Sequence, residues 1–172
     1  IRELLRIGNG PSSSHSMGPC RAAEIFLEQQ PDAPRYRVSL FGSLAATGKG
    51  HLTDKVLQEA FGRRTLELVW KPEEELPLHP NALRFEALSD AGDLLRSWDA
   101  YNVGGGALKG DGLSPANLSA NYLPTMDQIL EHCSGAGISF WEYVATCEGE
   151  EVWSYLADVW QAMGSSLERG LK

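Results

Sequence analysis

The sequence predicts an α+β fold in which helices pack on a mixed or antiparallel sheet of about four strands, followed by a C-terminal helical segment. Three observations support this class. Before residue 107, short segments with the two-residue alternation of strands are interleaved with segments of helical spacing. After residue 124, the apolar patterns are helical. The 172 residues, of which 42% are apolar, are enough to bury a core.

The first predicted helix covers residues 17–30, with apolar residues on one face and Ser16 as a candidate N-cap. Prolines end this helix, and residues 35–41 then alternate charged and apolar side chains as a half-buried strand does. The glycine-rich stretch 42–50 predicts a turn with close backbone approach. Helical spacing returns over residues 51–61.

Three further strands are predicted over residues 65–70, 82–88 and 93–103. The turn sequence SDAG joins the last two, so we expect them to form an antiparallel hairpin. A glycine triplet at 104–106 is expected to end the sheet.

These patterns divide the chain into an α+β core over residues 1–107, a Gly/Pro-rich connection over 108–124 and a helical segment over 125–172. Two sequences with capping-box spacing predict helices over residues 126–133 and 140–147. The last helix carries one apolar stripe, which we expect to be buried against the rest of this chain, a further domain or a second copy. The stripe consists of Val152, Trp153, Leu156, Val159, Trp160, Met163 and Leu167.

The charge of the chain disfavours two classes of partner. The sequence has 15 Lys and Arg against 23 Asp and Glu, a net charge of −8, and its basic residues are not clustered. Nucleic acids and anionic membranes bind concentrated positive charge, so we expect a small-molecule ligand instead. No apolar run reaches the roughly 18 residues of a membrane span, and no signal peptide is recognisable. We therefore expect a cytoplasmic protein.

The three cysteines do not have the spacing of a metal site. Cys20, Cys133 and Cys147 are far apart and include no C-x-x-C pair that would hold zinc or part of an iron–sulfur cluster. We therefore predict no metal ligand in this chain.

The stretch 41–54 (FGSLAATGKGHLTD) invites comparison with a phosphate-binding loop because it follows a predicted strand and precedes a predicted helix. It lacks the pattern of that loop, since five residues rather than four separate Gly42 from Gly48, and a glycine replaces the residue that binds magnesium. We predict no nucleotide site here and keep Lys49 and His51 as further candidate site residues.

Residues 8–20 (GNGPSSSHSMGPC) form the densest polar cluster of the sequence, directly before a predicted helix. Free backbone N–H groups and the helix dipole favour an anion, such as a substrate carboxylate, at such a position. The candidate substrate-binding residues are Ser12, Ser13, Ser14 and Ser16. His15 is a candidate catalytic residue. The alternative is an ordinary serine-rich loop with a capping serine and a solvated His15.

A second candidate cluster, His79-Pro80-Asn81, ends a proline-rich connection and precedes a predicted strand. The imidazole of His79 can exchange a proton near neutral pH, and the amide of Asn81 can donate to a developing oxyanion. The alternative is a turn with two solvated polar side chains.

Four motifs occur together in this chain. They are GNGPSSSHSMGP at 8–19, GSLAATGKGHLTD at 42–54, HPN at 79–81 and VGGG at 103–106. Their order and spacing resemble the β domain of the iron–sulfur-dependent bacterial L-serine dehydratases. The resemblance extends to the last helix, which is similar to the helix that leads into the catalytic α domain of that family.

The resemblance implies a lyase that converts L-serine to pyruvate and ammonia with a [4Fe-4S] cluster and without pyridoxal phosphate. The cluster-binding cysteines of the family belong to the α domain, so we expect the chain to be inactive by itself. The family's β domain is similar to the allosteric substrate-binding domain of some phosphoglycerate dehydrogenases. L-serine, the α domain and, since the family usually forms dimers, a second copy are the expected partners.

The positions that match the family's active-site residues are Ser13, His15, His79 and Asn81. We expect the serine loop to hold the carboxylate of the substrate, and the two imidazoles to lie near its Cα and leaving group. Asn81 would stabilise the enolate-like charge. The proton acceptor stays open between either histidine and a lysine of the α domain. The alternative function is a stand-alone regulatory module that binds serine or a similar small anion.

Overall fold

The structure, a computed structural model, describes residues 1–113 except 3, 9 and 11, and residues 121–172. Residues 114–120 of the predicted Gly/Pro-rich connection lie outside the described residues. The contacts divide the chain into two compact units, Gly8–Leu113 and a helical unit that combines Ile1–Ile7 with the residues from 121 on. Ile1–Ile7, which the sequence pattern assigns to the α+β core, thus pack with the helical unit.

The first unit contains one five-stranded sheet with the strand order β2-β1-β3-β4-β5. Its elements in chain order are a π-helical turn (Ser13–Met17), α1 (Gly18–Gln29), β1 (Arg35–Phe41), α2 (Gly42–Thr47), a 3-10 turn (Gly48–His51), α3 (Thr53–Phe61), β2 (Leu66–Lys71), β3 (Ala82–Leu88), β4 (Leu94–Gly104) and β5 (Ala107–Gly110). Strands β1 and β2 are parallel, and the other neighbouring strands are antiparallel. The predicted mixed α+β fold and the β3–β4 hairpin are confirmed.

The sheet has one strand more than the sequence pattern predicts. The expectation that the glycine triplet ends the sheet is wrong, because these residues reverse the chain and lead into β5, which pairs with β4. Gly104, Gly105 and Gly106 have φ angles of 111°, 57° and 73°. Residues with a Cβ rarely adopt such angles, so the triplet permits a tight reversal.

The predicted turn over 42–50 is also wrong, because residues 42–47 form the short helix α2. Gly42 begins the helix with a φ of +49° directly after the end of β1. Leu44 and Ala45 of α2 are buried in the core. Their burial stabilises a helix that its flanking glycines would disfavour.

Helices α1 and α3 cover one face of the sheet. Phe26 of α1 lies at the centre of this core, with its ring centroid 5.4 Å from that of Phe85 and 6.4 Å from that of Trp98. Strand side chains at alternate positions point into the same core. They are Tyr36, Val38, Leu40, Leu83, Phe85, Ala87, Trp98 and Ala100. Burial of apolar area is the main favourable term in folding. The packed core side chains therefore fix the positions of the segments that connect the strands at their ends.

The opposite face of the sheet carries paired charges. Arg84 donates two hydrogen bonds of 2.7 and 2.8 Å to the carboxylate of Asp99. Arg37 donates to Glu67 at 2.8 Å. Arg37, Glu67 and Arg84 border a groove of about 370 Å³. Because both arginines already have carboxylate partners, we do not regard this groove as a candidate anion site.

The helical unit consists of α4 (Met126–Ala136), α5 (Phe140–Glu148) and α6 (Glu151–Gly170). The predicted caps are confirmed, since Thr125 accepts from the backbone of Gln128 and Ser139 forms a capping box with Glu142. The helices of the described chain are too short or too polar to cross a membrane.

The apolar stripe of α6 is largely uncovered by the described residues of this chain. Val152 is buried, whereas Trp160 is 75% exposed and Leu167 is 67% exposed. An apolar face of this extent is typical of an interaction surface.

Candidate active site

The candidate residues gather around one end of the sheet. Phe41, the last residue of β1, is paired with Ala82, the first residue of β3, and Ala82 is paired with Tyr101 near the end of β4. Helix α2 begins directly after Phe41, and the His79-Pro80-Asn81 segment directly precedes Ala82. The strand register therefore places two of the predicted motifs at the same edge.

Asn102 joins this edge to the serine-rich segment. Its side-chain amide donates to the carbonyl of Ser14 at 3.0 Å, and its backbone N–H donates to the carbonyl of Asn81 at 2.8 Å. Asn102 is fully buried, so both bonds are shielded from water. The serine-rich and His-Pro-Asn segments are thus held by one residue.

Asn102 is not among the residues predicted from the sequence, although a signal was present. Every second residue of β4 from Trp98 through Ala100 points into the core. Asn102 is the next residue in this alternation, so it is a polar residue at an inward-pointing position. A buried amide needs hydrogen-bond partners, which makes such a residue a candidate for holding a loop.

The serine-rich segment is helical rather than a loop. The π-helical turn over Ser13–Met17 continues directly into α1. Ser12 is its N-cap, and its Oγ accepts from the backbone N–H of His15 at 3.2 Å. The prediction that Ser16 caps the helix is wrong, since Ser16 lies inside the turn, is fully buried and donates to the carbonyl of His51 at 3.0 Å.

The other serines differ in exposure. Ser13 is exposed, while Ser12 and Ser14 are partly buried with their hydroxyl oxygens 3.4 Å apart. The first N–H groups of a helix have no partner within it. The hydroxyls of Ser12, Ser13 and Ser14 thus lie beside the first backbone N–H groups of the π-helical turn, as the sequence indicates.

The imidazole of His15 is buried and hydrogen-bonded at both nitrogens. The residue is 9% exposed. Its Nδ1 lies 2.9 Å from Oγ of Ser14, and its Nε2 lies 2.9 Å from Oγ1 of Thr47. Its carbonyl accepts from the buried hydroxyl of Thr53 at 2.5 Å. The alternative of a solvated His15 is therefore wrong.

Burial lowers the pKa of His15 below its usual value of 6.5. The adjacent ring of His51 lowers this pKa further, and a hydrogen bond to the carbonyl of Ser43 raises it by less. His15 is consequently neutral at pH 7. The ring centroids of His15 and His51 are 4.6 Å apart, with an angle of 35° between the ring planes.

His51 belongs to the same cluster, whereas Lys49 does not contact it. The Nδ1 of His51 lies 3.0 Å from the carbonyl of Thr47, at the end of α2. Lys49 is exposed, and its Nζ lies 5.4 Å from the ring centroid of Trp70. The 42–54 motif thus contributes an imidazole to the candidate site, and its lysine contacts an aromatic ring on β2.

The His-Pro-Asn segment has its own internal bond. The backbone N–H of Asn81 donates to Nδ1 of His79 at 3.0 Å. The side-chain oxygen Oδ1 of Asn81 is buried and has no hydrogen-bond partner among the described residues. A buried unpaired acceptor is costly, which makes Asn81 a candidate for contact with a ligand or a further domain.

A close approach fixes the position of this segment relative to α2. A Cβ on Gly42 would lie 2.6 Å from the carbonyl oxygen of Pro80. Glycine is therefore required at the start of α2 for the His-Pro-Asn segment to pack there.

The described residues do not fit an iron–sulfur cluster. No three His, Cys, Asp or Glu side chains in this part of the chain come together as metal ligands. Cys20 lies in the first unit, and Cys133 and Cys147 lie in the helical unit. We derive no chemical step of this chain through a cluster.

Comparison with known proteins agrees with these motifs. Residues 1–61 match the family model described as serine dehydratase beta chain. L-serine dehydratase 2 of Escherichia coli (strain K12) is 28% identical to this chain, with 99% of this chain and 49% of the relative covered. L-serine dehydratase of Mycobacterium tuberculosis is 30% identical, with 83% of this chain and 41% of the relative covered.

The chain is thus similar to the β domain of the L-serine dehydratases. It spans about half the length of the curated relatives it matches. The family resemblance stated from the sequence motifs is confirmed.

Proposed function

We propose that the chain is the β-domain part of an enzyme that converts L-serine to pyruvate and ammonia. It supplies serine, histidine and asparagine groups to an active site that a catalytic α domain completes. The observation that supports this most strongly is the buried, neutral His15, hydrogen-bonded to Ser14 and Thr47. Asn102 ties the backbone of this segment to that of Asn81.

The serine-rich helix start suits the substrate carboxylate. The helix dipole and unpaired N–H groups favour an anion there, and the hydroxyls of Ser12, Ser13 and Ser14 add donors. In this proposal, Ser16 supports the site from behind, because its hydroxyl is already bonded to the carbonyl of His51.

The reaction is an elimination that needs a proton acceptor and stabilisation of negative charge. The Cα–H and Cβ–O bonds of serine break, a Cα=Cβ bond forms, and water leaves. The enamine then becomes an imine, which water hydrolyses to pyruvate and ammonia. Neutral imidazoles suit the acceptor role near pH 7, and the amide of Asn81 suits the charge that develops on the carboxylate.

The remaining parts of the proposal concern the complete protein. The [4Fe-4S] cluster has its cysteine ligands in the α domain, no pyridoxal phosphate takes part, and the enzyme is a cytoplasmic dimer. The exposed stripe of α6 is covered by the α domain or by a second copy of this chain. The chain by itself is inactive.

The test is anaerobic pyruvate formation by the complete enzyme, with wild type compared with His15→Ala and His79→Ala. Loss of an acid–base group lowers turnover by about 10²- to 10⁴-fold, and we expect losses in this range. His132→Ala, a histidine of α4 in the helical unit, is the control and should retain activity. Normal turnover in both site variants would remove these imidazoles from the mechanism. Serine binding without pyruvate formation in the wild type would favour the regulatory module.

A further inference from the structure

Strand β2 is an exposed edge of the sheet. It stands at one end of the strand order, with β1 on one side and no strand of the described chain on the other. None of its residues is buried, although Leu68, Val69 and Trp70 are apolar. An apolar edge strand presents unpaired backbone groups that can bind another strand. The other edge of the sheet, β5, has four residues and ends at a glycine.

The backbone groups that face this open edge belong to alternate residues of β2. The carbonyl of Thr65 accepts from the backbone N–H of Tyr36 at 2.8 Å, so Thr65 faces β1. In a parallel pair, the N–H and C=O of one residue point to the same side, and this side alternates along the strand. The backbone groups of Leu66, Leu68 and Trp70 therefore point away from β1.

The side chains of β2 alternate between two faces of different character. The residues that pack against the core are Leu66, Leu68 and Trp70. The residues that border the groove on the opposite face are Glu67, Val69 and Lys71. The groove face of β2 thus carries a negative charge near one end and a positive charge at the other, with an apolar residue midway between them.

A second copy of β2 fits this edge in one register. Two strands joined edge to edge by a two-fold axis are antiparallel, and residues directly opposite each other share a face of the sheet. An axis at Val69 places Val69 opposite its own copy, Glu67 opposite Lys71, and Leu68 opposite Trp70. Opposite charges then meet on the groove face and apolar side chains meet on the core face, which are the favourable cross-strand pairs. Leu68 and Trp70 also exchange hydrogen bonds through their outward backbone groups.

Other registers lose this match. An axis at Leu68 places Glu67 opposite Val69, and an axis at Trp70 places Lys71 opposite Val69. Both charges then lack a partner of opposite sign on the second copy.

The partners of the two charged residues within the chain leave this pairing open. Arg37 donates to Oε2 of Glu67, so Oε1 can accept a further bond. Lys71 donates to Glu74 at 3.0 Å and has two further N–H donors.

We propose that the β2 edge is the interface through which two copies of this chain associate, so that their five-stranded sheets join into one continuous sheet. The inference rests on the dimer in the proposed function and adds the surface that forms it. The two-fold axis passes through Val69, and the ion pairs between Glu67 and Lys71 lie on either side of it.

The register is tested by cross-linking this chain through an introduced cysteine. The two copies of Val69 form a non-hydrogen-bonded pair with Cα atoms about 4.5 Å apart, within the reach of a disulfide. Val69→Cys should therefore give a covalent dimer when its thiols are oxidised with copper phenanthroline. The wild type, which contains Cys20, Cys133 and Cys147, gives the background.

Lys71→Cys is the matched control for this substitution. In the proposed register, its two copies are offset by four residues along the strands, about 13 Å, so it should not cross-link with itself. A mixture of Lys71→Cys and Glu67→Cys should cross-link again. The proposal would be overturned by a Val69→Cys chain that stays at the background level, or by equal cross-linking in Lys71→Cys alone.

The ion pairs are tested by sedimentation velocity over a range of chain concentrations. Glu67→Lys puts like charges opposite each other on both sides of the axis, so we expect the dissociation constant of the dimer to rise about tenfold. Lys71→Glu should have the same effect. The double variant restores both pairs and should return the constant to near the wild-type value. Lys109→Glu, on β5 at the other edge, is the control and should leave the constant unchanged.

Three results would overturn the interface. They are a monomeric wild type at all concentrations, a double variant that dimerises no more tightly than the single variants, and loss of the dimer in Trp160→Glu of α6 but not in Glu67→Lys. None of these measurements uses turnover. If the interface is confirmed but the complete enzyme forms no pyruvate, the interface stands and the proposed function fails.

Discussion

The side-chain amide of Asn102 donates to the backbone carbonyl of Ser14 at 3.0 Å, across 88 residues of sequence. The backbone N–H of Asn102 donates to the carbonyl of Asn81, so one buried residue holds the two polar segments that carry His15 and His79. The candidate site therefore depends on the packing around Asn102 as well as on the residues of its motifs.

Gly18→Ala should disturb this packing. Gly18 has an ordinary helical backbone, but a Cβ there would lie 1.5 Å from Nδ2 of Asn102. The amide would have to move and would lose its bond to Ser14. Overpacking and loss of a buried hydrogen bond each cost about 1–3 kcal/mol, so we expect the free energy of unfolding to fall by about 2 kcal/mol or more. Urea denaturation measures this change.

Gly164→Ala is the matched control for this substitution. Gly164 lies within α6, and a Cβ there meets open space. Alanine is favoured over glycine in a helix by about 1 kcal/mol, so this variant should be as stable as the wild type or more stable. Equal stability of wild type and Gly18→Ala would contradict the close packing.

Thr53→Val should destabilise the backbone of His15. The fully buried hydroxyl of Thr53 donates to the carbonyl of His15 at 2.5 Å. Valine keeps the shape but leaves the carbonyl without this donor, at a cost of about 1–3 kcal/mol. Thr146→Val, whose hydroxyl is exposed, should change the unfolding free energy much less. Equal effects of the two substitutions in thermal unfolding would show that the buried bond is unimportant.

The stability should depend on pH through His15. Burial lowers its folded pKa below 6.5, so the unfolded chain binds this proton at a higher pH than the folded chain. The contribution of His15 to stability is present above pH 6.5 and is lost as the pH falls toward its folded pKa. NMR titration of the imidazole measures the pKa directly.

The neighbouring imidazole provides an internal check on that titration. His51→Gln should raise the pKa of His15, because the His51 ring lowers it, but the value should stay below 6.5 since burial is the larger cause. A His15 that titrates at or above 6.5 in the wild type would contradict the buried position.

The exposed face of α6 should become buried in the complete enzyme. Trp160 is 75% exposed in the chain, so its fluorescence should be that of a solvated indole and be quenched readily by acrylamide. In the presence of the α domain, we expect shorter-wavelength emission and weaker quenching, and Trp160→Phe should remove this difference. Unchanged quenching of Trp160 in the complete enzyme would show that the face has no such partner.

The sequence predicts the strands well where a repeating pattern determines them. The predicted strands 35–41 and 82–88 coincide with β1 and β3, because burial of every second residue requires the alternation seen in the sequence. The predictions for the two glycine-rich segments, 42–50 and 104–106, are wrong. Glycines disfavour regular structure locally, but at α2 the core overrides this preference, and before β5 they provide the turn that a hairpin needs.

The candidate site is predictable only in part, for a physical reason. His15, His51 and His79 stand in recognisable motifs, and the rings of the first two lie in contact at a tilt of 35° in the structure. Asn102 and Thr47 act through partners that are distant in the sequence, so no local pattern marks them. Which groups surround each imidazole is known only after the chain has folded.

In the function proposed above, the serine-rich segment and the His-Pro-Asn segment form one binding site for L-serine. A crystal structure of the complete enzyme with bound L-serine tests it most directly, through the distances from the imidazoles of His15 and His79 to the ligand. We expect one serine molecule with its carboxylate at the start of the π-helical turn and both imidazoles within about 3.5 Å of the ligand or of its contacting side chains. A serine molecule that lies against only one of the two segments would contradict the claim.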